Sequence, residues 1–147
     1  MNRDEKGKEL FESGMNCSQA VLLAYEDELN VDRGALLRIG ASFGGGMGRL
    51  REVCGAVSGI FAVAGLLQGP EDPADREAKA AHYKLIQELA AKFREKNGSI
   101  ICRELLGLRA AENSPVPEER TVEYYSRRPC VKYIMSAIEI LEEQRNV

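Results

Sequence analysis

The residues of this chain that are best suited to chemistry are its four cysteines. No two of them are close in sequence, so the CxxC motif of thioredoxin-like proteins and of zinc ribbons is absent. Any site that they share must therefore be assembled by the fold. Thiolates in such a site act as nucleophiles in disulfide exchange or as ligands for a soft metal ion. The four residues are Cys17, Cys54, Cys102 and Cys130.

The two cysteines of the N-terminal half are predicted to lie near helix starts. Asn16 is a favourable N-cap, and Gln19 three residues later resembles the partner in a capping box. This makes Cys17 the first helical residue, N1. Cys54 falls in the first turn or two of an apolar helix, whose start has no clear cap.

The other two cysteines are also predicted to open helices. Ser99 can cap the short helix "IICRELLGL", which places Cys102 at its third position. Pro129 is favoured as the first residue of the last helix, which places Cys130 at its second position. Inert cysteines that only fill the core have no reason to occur mainly at helix starts. We therefore favour functional thiols over the alternative that all four are small buried hydrophobes.

A thiolate at a helix start is stabilised by unpaired N–H groups and about half a positive charge, which lower the pKa of the thiol. Cys54 is expected to be the central residue, because the adjacent Gly55 leaves its side chain unshielded. Arg49 and Arg51 are close in sequence and are expected to help stabilise its thiolate.

The glycine cluster at 44–48, "GGGMG", has two interpretations. In the first, which we favour, it is a connector whose glycines adopt positive φ. In the second, Gly45 and Gly46 let backbone N–H groups approach a ligand. The cluster lacks the GK[ST] of a P-loop, and no strand precedes it as a dinucleotide fingerprint requires. Gly55 and Gly59, one turn apart in "CGAVSG", are expected to allow close approach of a neighbouring helix or a ligand.

The four cysteine segments together are similar to a known family. "NCSQAV", "CGAVSG", "IICREL" and "RPCVKY" match the four-cysteine pattern of the redox-active proteins named C_GCAxxG_C_C, over nearly the whole chain. The resemblance implies a bacterial or archaeal protein, frequently encoded near transporter genes, with redox activity at the four cysteines. It implies no particular substrate or reaction.

The elements that must position these thiols are predicted to be helices alone. Apolar residues recur at helical spacing, and no segment alternates as a half-buried strand would. We predict one all-α domain, residues 1–147, with six or seven helices and with residues 53–68 as the central buried helix. A long helix is predicted from Asp72 and Pro73 to Gly98.

Composition narrows the function classes. A net charge of −3 and few aromatic residues argue against binding of nucleic acid. The apolar run near residue 60 is too short to span a bilayer, and the charged N-terminus lacks a signal peptide, so a cytoplasmic location is predicted. His82 is interpreted as a packing residue, as are Tyr124 and Tyr125.

Three functions remain open. The first is reversible thiol–disulfide chemistry, with Cys54–Cys17 and Cys102–Cys130 as the expected pairs. The second is a four-cysteine centre for zinc, copper(I) or an iron–sulfur cluster. The third is a helical adaptor for a membrane transporter. A redox partner protein would accompany the first function, and whether the chain forms a homo-oligomer is left open.

Overall fold

The helices account for most of the chain in a computed structural model, which describes residues 1–107 and 114–146. The predicted all-α class is confirmed. The end of the expected helix "IICRELLGL", at Leu108, lies outside the described residues. The helical segments are α1 (Arg3–Glu12), α2 (Cys17–Ala24), α3 (Glu26–Leu29), α4 (Arg33–Ala41), α5 (Gly44–Met47), α6 (Gly55–Gln68), α7 (Arg76–Asn97), α8 (Cys102–Leu106), α9 (Val122–Arg127) and α10 (Cys130–Arg145).

Side-chain caps start the helices at two of the expected places. At α2, Asn16 Oδ1 accepts the Gln19 N–H at 2.8 Å, while Gln19 Oε1 accepts the Asn16 N–H at 3.0 Å. This reciprocal capping box confirms the predicted start. At α4, the Asp32 carboxylate accepts the Ala35 N–H at 2.7 Å.

The predicted start of α7 is wrong by three residues. Asp75, not Asp72, is its N-cap and accepts the Ala78 N–H at 3.0 Å. The Asp72 carboxylate instead accepts the Ala74 N–H at 2.9 Å, so that Pro73 lies within a turn before the helix. Both aspartates are competent caps, and the local sequence does not distinguish the turn from the first helical turn.

The chain forms more helical segments than the six or seven expected, and the additional ones are short. Segment α3 is separated from α2 at Tyr25, whose φ and ψ are −107° and 11°. Tyr25 is fully buried, and its hydroxyl donates to Glu142 at 3.1 Å. Segment α9 is a further short helix and begins at the Thr121 cap. Segment α5 contains two left-handed glycines and is a tight turn rather than a regular helix.

The central helix is α6, as predicted, and it packs against α2, α7 and α10. Its inner face is buried, with Ile60 and Val63 fully shielded from solvent. A Cβ added at Gly59 would lie 2.8 Å from the Val21 Cβ, so the missing side chain is what allows α2 to approach α6 closely. None of the helices in the described part of the chain is long and apolar enough to cross a membrane.

Candidate thiol site

All four cysteines lie at the N-terminal boundary of a helix. Cys17, Cys102 and Cys130 are the first residues of α2, α8 and α10, and Cys54 is the N-cap of α6. The prediction of helix-start cysteines is therefore confirmed, although Cys102 and Cys130 were expected at later positions. The difference arises because α8 is entered from Ile101 and α10 from Pro129, which are their N-caps.

The four cysteines line one cavity of about 290 Å³, which we call the thiol cavity. Cys54, Cys102 and Cys130 are each less than 10% exposed, while Cys17 is partly exposed. The described thiols are reduced, with no disulfide between them. The fold thus assembles the shared site that their sequence spacing could not reveal.

A short antiparallel pairing of two backbone segments places Cys54 and Cys102 on the same face of the pair. Val53 and Ile101 form an antiparallel bridge. The Cys54 N–H donates to the Ile100 carbonyl at 2.8 Å, and the Cys102 N–H donates to the Glu52 carbonyl at 2.6 Å. Because successive side chains in extended backbone alternate between faces, both cysteines point away from Val53 and Ile101. Diagonal neighbours of this kind are typically about 7–8 Å apart, beyond the reach of a disulfide without movement.

Two glycines allow the chain to approach the cysteines closely. A Cβ added at Gly55 would lie 3.1 Å from the Cys17 Cβ, so the start of α6 is packed against the start of α2. A Cβ at Gly46 would lie 2.6 Å from the Cys102 Cβ, and Gly46 has φ of +72°. Gly45, with φ of +67°, also lines the cavity. The glycine cluster therefore combines positive φ with close approach to a cysteine.

Among the four cysteines, Cys17 and Cys130 affect each other's pKa most strongly. This is neither of the two pairs expected from the sequence. This interaction lowers the pKa of Cys130 and raises the pKa of Cys17. Nearby guanidinium groups of Arg128 and Arg120 lower the pKa of Cys130 further, so it is the member of the pair that loses its proton first.

The expectation that Cys54 has a depressed pKa is wrong. Burial raises the pKa of Cys54 to about 12, although the N–H groups of Val57 and Ala56 at the start of α6 oppose this rise. Desolvation of the thiolate outweighs the helix-start effect on which the prediction rested. Arg51, expected beside Cys54, places Nη1 3.7 Å from the Cys102 sulfur. Burial nevertheless raises the pKa of Cys102, with Arg51 acting against the rise.

Sequence reasoning missed several charged residues of the cavity. Arg120, Arg128 and Glu118 line it together with Arg49 and Arg51. Arg128 forms an ion pair with Glu118 and precedes Cys130 by two residues, a proximity that the sequence does display. Arg120 comes from the segment that contains Pro115 and Pro117. Nothing in the local sequence indicates that it reaches the cavity.

Of the other residues singled out in the sequence, some line the thiol cavity and others do not. Tyr124 lines it, whereas Tyr125 packs edge-on against Phe11 with ring centroids 5.9 Å apart. Gly59 and His82 are not among its lining residues. Gly59 serves helix packing against α2, as described above.

The cavity does not present a ready site for a single metal ion. Within residues 1–107 and 114–146, no group of three or more His, Cys, Asp or Glu side chains is arranged to hold one. Four thiols around a shared cavity are still a donor set of the kind that binds iron–sulfur clusters or soft metals.

Comparison with known proteins connects this site to a family. The comparisons with curated proteins and with solved structures give no significant match. The family model described as "Putative redox-active protein (C_GCAxxG_C_C)" matches residues 15–144, a range that contains all four cysteines. Because this match covers most of the chain and confirms the resemblance of the cysteine segments, the protein belongs to the C_GCAxxG_C_C family.

Proposed function

We propose that the protein carries out reversible thiol–disulfide exchange, with Cys130 as the attacking thiolate and Cys17 as the resolving thiol. The observation that carries this proposal is the placement of Cys17 and Cys130 in one cavity, where their interaction lowers the pKa of Cys130 and raises that of Cys17. A nucleophilic thiolate beside a protonated thiol is the pair of species that such exchange requires.

The reaction proceeds in two displacements. The Cys130 thiolate attacks one sulfur of a substrate disulfide, and the substrate S–S bond breaks with its electron pair on the departing sulfur. Cys17 transfers its proton to that departing thiolate, and its sulfur then attacks the Cys130 sulfur of the mixed disulfide. The second substrate thiolate leaves and takes a proton from water. The substrate has gained two electrons, and the protein carries a Cys17–Cys130 disulfide.

A dithiol reductant is needed to return the protein to its starting state. It attacks the Cys17–Cys130 disulfide and is itself oxidised to a disulfide by the same two displacements. This requirement defines a redox partner protein with a dithiol as the partner class. The partly exposed Cys17 is the sulfur that such a partner reaches first.

Cys54 and Cys102 have a secondary part in this proposal. Burial holds both as neutral thiols near pH 7, because it raises the pKa of each. A neutral thiol is a much weaker nucleophile than a thiolate. These two cysteines are therefore expected to react after the Cys17–Cys130 pair.

The proposal is tested with reduced protein and the neutral probe 2-hydroxyethyl disulfide, with the products mapped by peptide mass spectrometry. Wild-type protein should form the Cys17–Cys130 disulfide. Cys130→Ser should not react at this pair, and Cys17→Ser should accumulate the mixed disulfide on Cys130. The matched controls Cys54→Ser and Cys102→Ser should still form the Cys17–Cys130 bond.

Two results would overturn the assignment. One is a disulfide that joins Cys54 to Cys102 while Cys17 and Cys130 stay free. The other is absence of any oxidation in folded wild-type protein, in which case the transporter adaptor becomes the leading function.

A four-thiolate iron–sulfur or metal centre is the second candidate function. It is favoured by the convergence of four cysteines on one cavity, since a disulfide pair needs only two. Metal analysis and a visible absorption spectrum of anaerobically purified protein test it. Cys54→Ser and Cys102→Ser distinguish the two functions, because both should abolish a four-thiolate centre while sparing the Cys17–Cys130 exchange.

A further inference from the structure

The thiol cavity is strongly cationic. Four arginines line it, and within the described residues Glu118 is the carboxylate in its wall. Two of the arginine side chains are largely withdrawn from water, because Arg51 is 6% exposed and the side chain of Arg128 is 9% exposed, while Arg49 and Arg120 are partly exposed. Positive charges held at low exposure attract an anion more strongly than charges on an open surface do. The four are Arg49, Arg51, Arg120 and Arg128.

Arg49 has capacity to bind a ligand. Its Nη1 donates to the Val116 carbonyl, but its Nε is buried and has no hydrogen-bond partner in the described part of the chain. Burial lowers the pKa of Arg49, and the neighbouring charges of Arg51 and Arg128 lower it further. A buried donor without a partner is unfavourable, and an oxyanion would satisfy it.

The cavity has the size and lining of a small-molecule site. Its volume of about 290 Å³ is far larger than a water site and lies at the small end of the range for ligand pockets. Apolar side chains, including Leu105 and Tyr133, form part of its wall beside the arginines and the thiols. A ligand with an apolar body and an anionic end would match both parts of this wall.

We propose that the thiol cavity selects a small disulfide that bears a carboxylate, with Arg49 binding the carboxylate and Cys130 attacking the disulfide. The inference rests on the proposed thiol–disulfide exchange and names the substrate class of that same site. Arg51 and Arg128 add favourable charge, and the two displacements described above convert this substrate into two thiols. Charge-assisted hydrogen bonds between guanidinium and carboxylate supply the selectivity.

Three probe disulfides of nearly equal size test the proposal. Dithiodiglycolate carries two negative charges, 2-hydroxyethyl disulfide is neutral, and cystamine carries two positive charges. Each rate of Cys17–Cys130 formation is divided by the rate of the same probe with 2-mercaptoethanol, which removes differences in intrinsic reactivity. We expect the dianion to be preferred over the neutral probe by about tenfold, the strength of one charge-assisted hydrogen bond.

Substitution of Arg49 identifies the group responsible. Arg49→Gln should abolish most of the preference for the dianion, measured as the ratio of the normalised rates with the charged and the neutral probe. Arg33→Gln is the matched control, because Arg33 lies outside the cavity and its replacement changes the net charge equally. Retention of the preference in Arg49→Gln, or its equal loss in Arg33→Gln, would overturn the role of Arg49.

The outcome also separates this inference from the proposed function. If the neutral probe oxidises the pair but the dianion shows no normalised advantage, the exchange function stands and the substrate class is wrong. If no probe oxidises the pair, calorimetric titration of Cys130→Ser protein with dithiodiglycolate still measures the site. Binding that is lost in Cys130→Ser/Arg49→Gln protein would support the anion site alone, and absence of binding would overturn it.

Discussion

Helices α2 and α10 begin at cysteines of the thiol cavity and end in a second cluster of charges, around the buried ring of Tyr25. We call this second cluster the Tyr25 network. Arg3 and Arg145 place their guanidinium carbons 4.6 and 5.9 Å from the centre of the Tyr25 ring. Both regions thus combine arginines with an aromatic residue and with the ends of the same helices.

The two regions differ in what balances the arginines. In the Tyr25 network, Arg3 pairs with Asp27 at 2.7 Å, and Arg145 pairs with Glu28 at 2.7 Å. Glu142 lies within 3.5 Å of Arg3 and 3.0 Å of Arg145. In the thiol cavity, four arginines share the described wall with Glu118 and with four thiols.

This difference indicates what each cluster is for. Carboxylates are ionised throughout the physiological range, so the Tyr25 network is neutralised permanently and holds α1, α3 and α10 together. A thiol supplies negative charge only when it is deprotonated, so the cavity arginines favour the thiolate of Cys130. Under the proposed function, the arginines of the Tyr25 network stabilise the fold, whereas those of the thiol cavity also tune the reactivity of Cys130.

The largest expected effect comes from filling the close approach at Gly46. Gly46→Ala should reduce the free energy of unfolding by about 3 kcal/mol, because its Cβ would overlap the Cys102 Cβ at a left-handed φ. Denaturant unfolding measures this. Gly65→Ala is the control, since nothing lies within 4 Å of its added Cβ, and the helix should gain up to about 1 kcal/mol. Equal effects of the two substitutions would contradict the packing role of Gly46.

The interaction with Cys17 should have the largest influence on the reactivity of Cys130. Cys17→Ala removes the thiol that lowers the pKa of Cys130. If that thiol acts as a hydrogen-bond donor, alkylation of Cys130 by iodoacetamide at pH 7 should slow about tenfold or more, the strength of a hydrogen bond to a charged group. Cys17→Ser keeps a hydroxyl donor and should retain most of the rate. Labelling of metal-free protein across a pH series, followed by mass spectrometry, reports each cysteine separately. If the alanine and serine variants label alike, the hydrogen bond is not the cause.

A pair of arginine substitutions should separate the two regions. Arg128→Gln raises the pKa of Cys130 and should slow its alkylation severalfold near pH 7. Arg145→Gln should leave alkylation unchanged but lower the free energy of unfolding by about 1 kcal/mol, because its partner Glu28 loses its strongest ion pair. Slower alkylation in Arg145→Gln would remove the distinction between the regions.

The smallest expected effect is an acid-dependent loss of stability from the Tyr25 network. The hydrogen bond from Arg145 lowers the pKa of Glu28 below its usual 4.5 in the folded protein. A lowered folded pKa stabilises the protein above the unfolded pKa, and this contribution is lost as the pH falls below about 4.5. Since Glu28 is partly exposed, the loss should be below about 1 kcal/mol. In thermal unfolding measured between pH 6 and 3, the melting temperature of Glu28→Gln should fall less steeply with decreasing pH than that of the wild type.

The sequence by itself determined the all-α class, the central helix and the location of the cysteines near helix starts. The capping box of Asn16 and Gln19 and the Asp32 cap depend on hydrogen bonds between residues three apart, so the local sequence contains the whole interaction. Residues 55–68 are almost continuously apolar, so the helix that they form has to be buried on several sides. This made α6 the central helix. The family resemblance also rested on sequence alone.

Only the tertiary structure decided which thiols meet and which one is ionised. Cys17 and Cys130 line the same cavity because α2 and α10 pack together, and Arg120 reaches the cavity from a segment far away in sequence. Burial, which raises the pKa of Cys54 against its favourable helix start, is a property of every element packed around that sulfur. The pKa of a thiol sums desolvation, hydrogen bonds and charges over all its spatial neighbours, and most of these neighbours are distant in sequence.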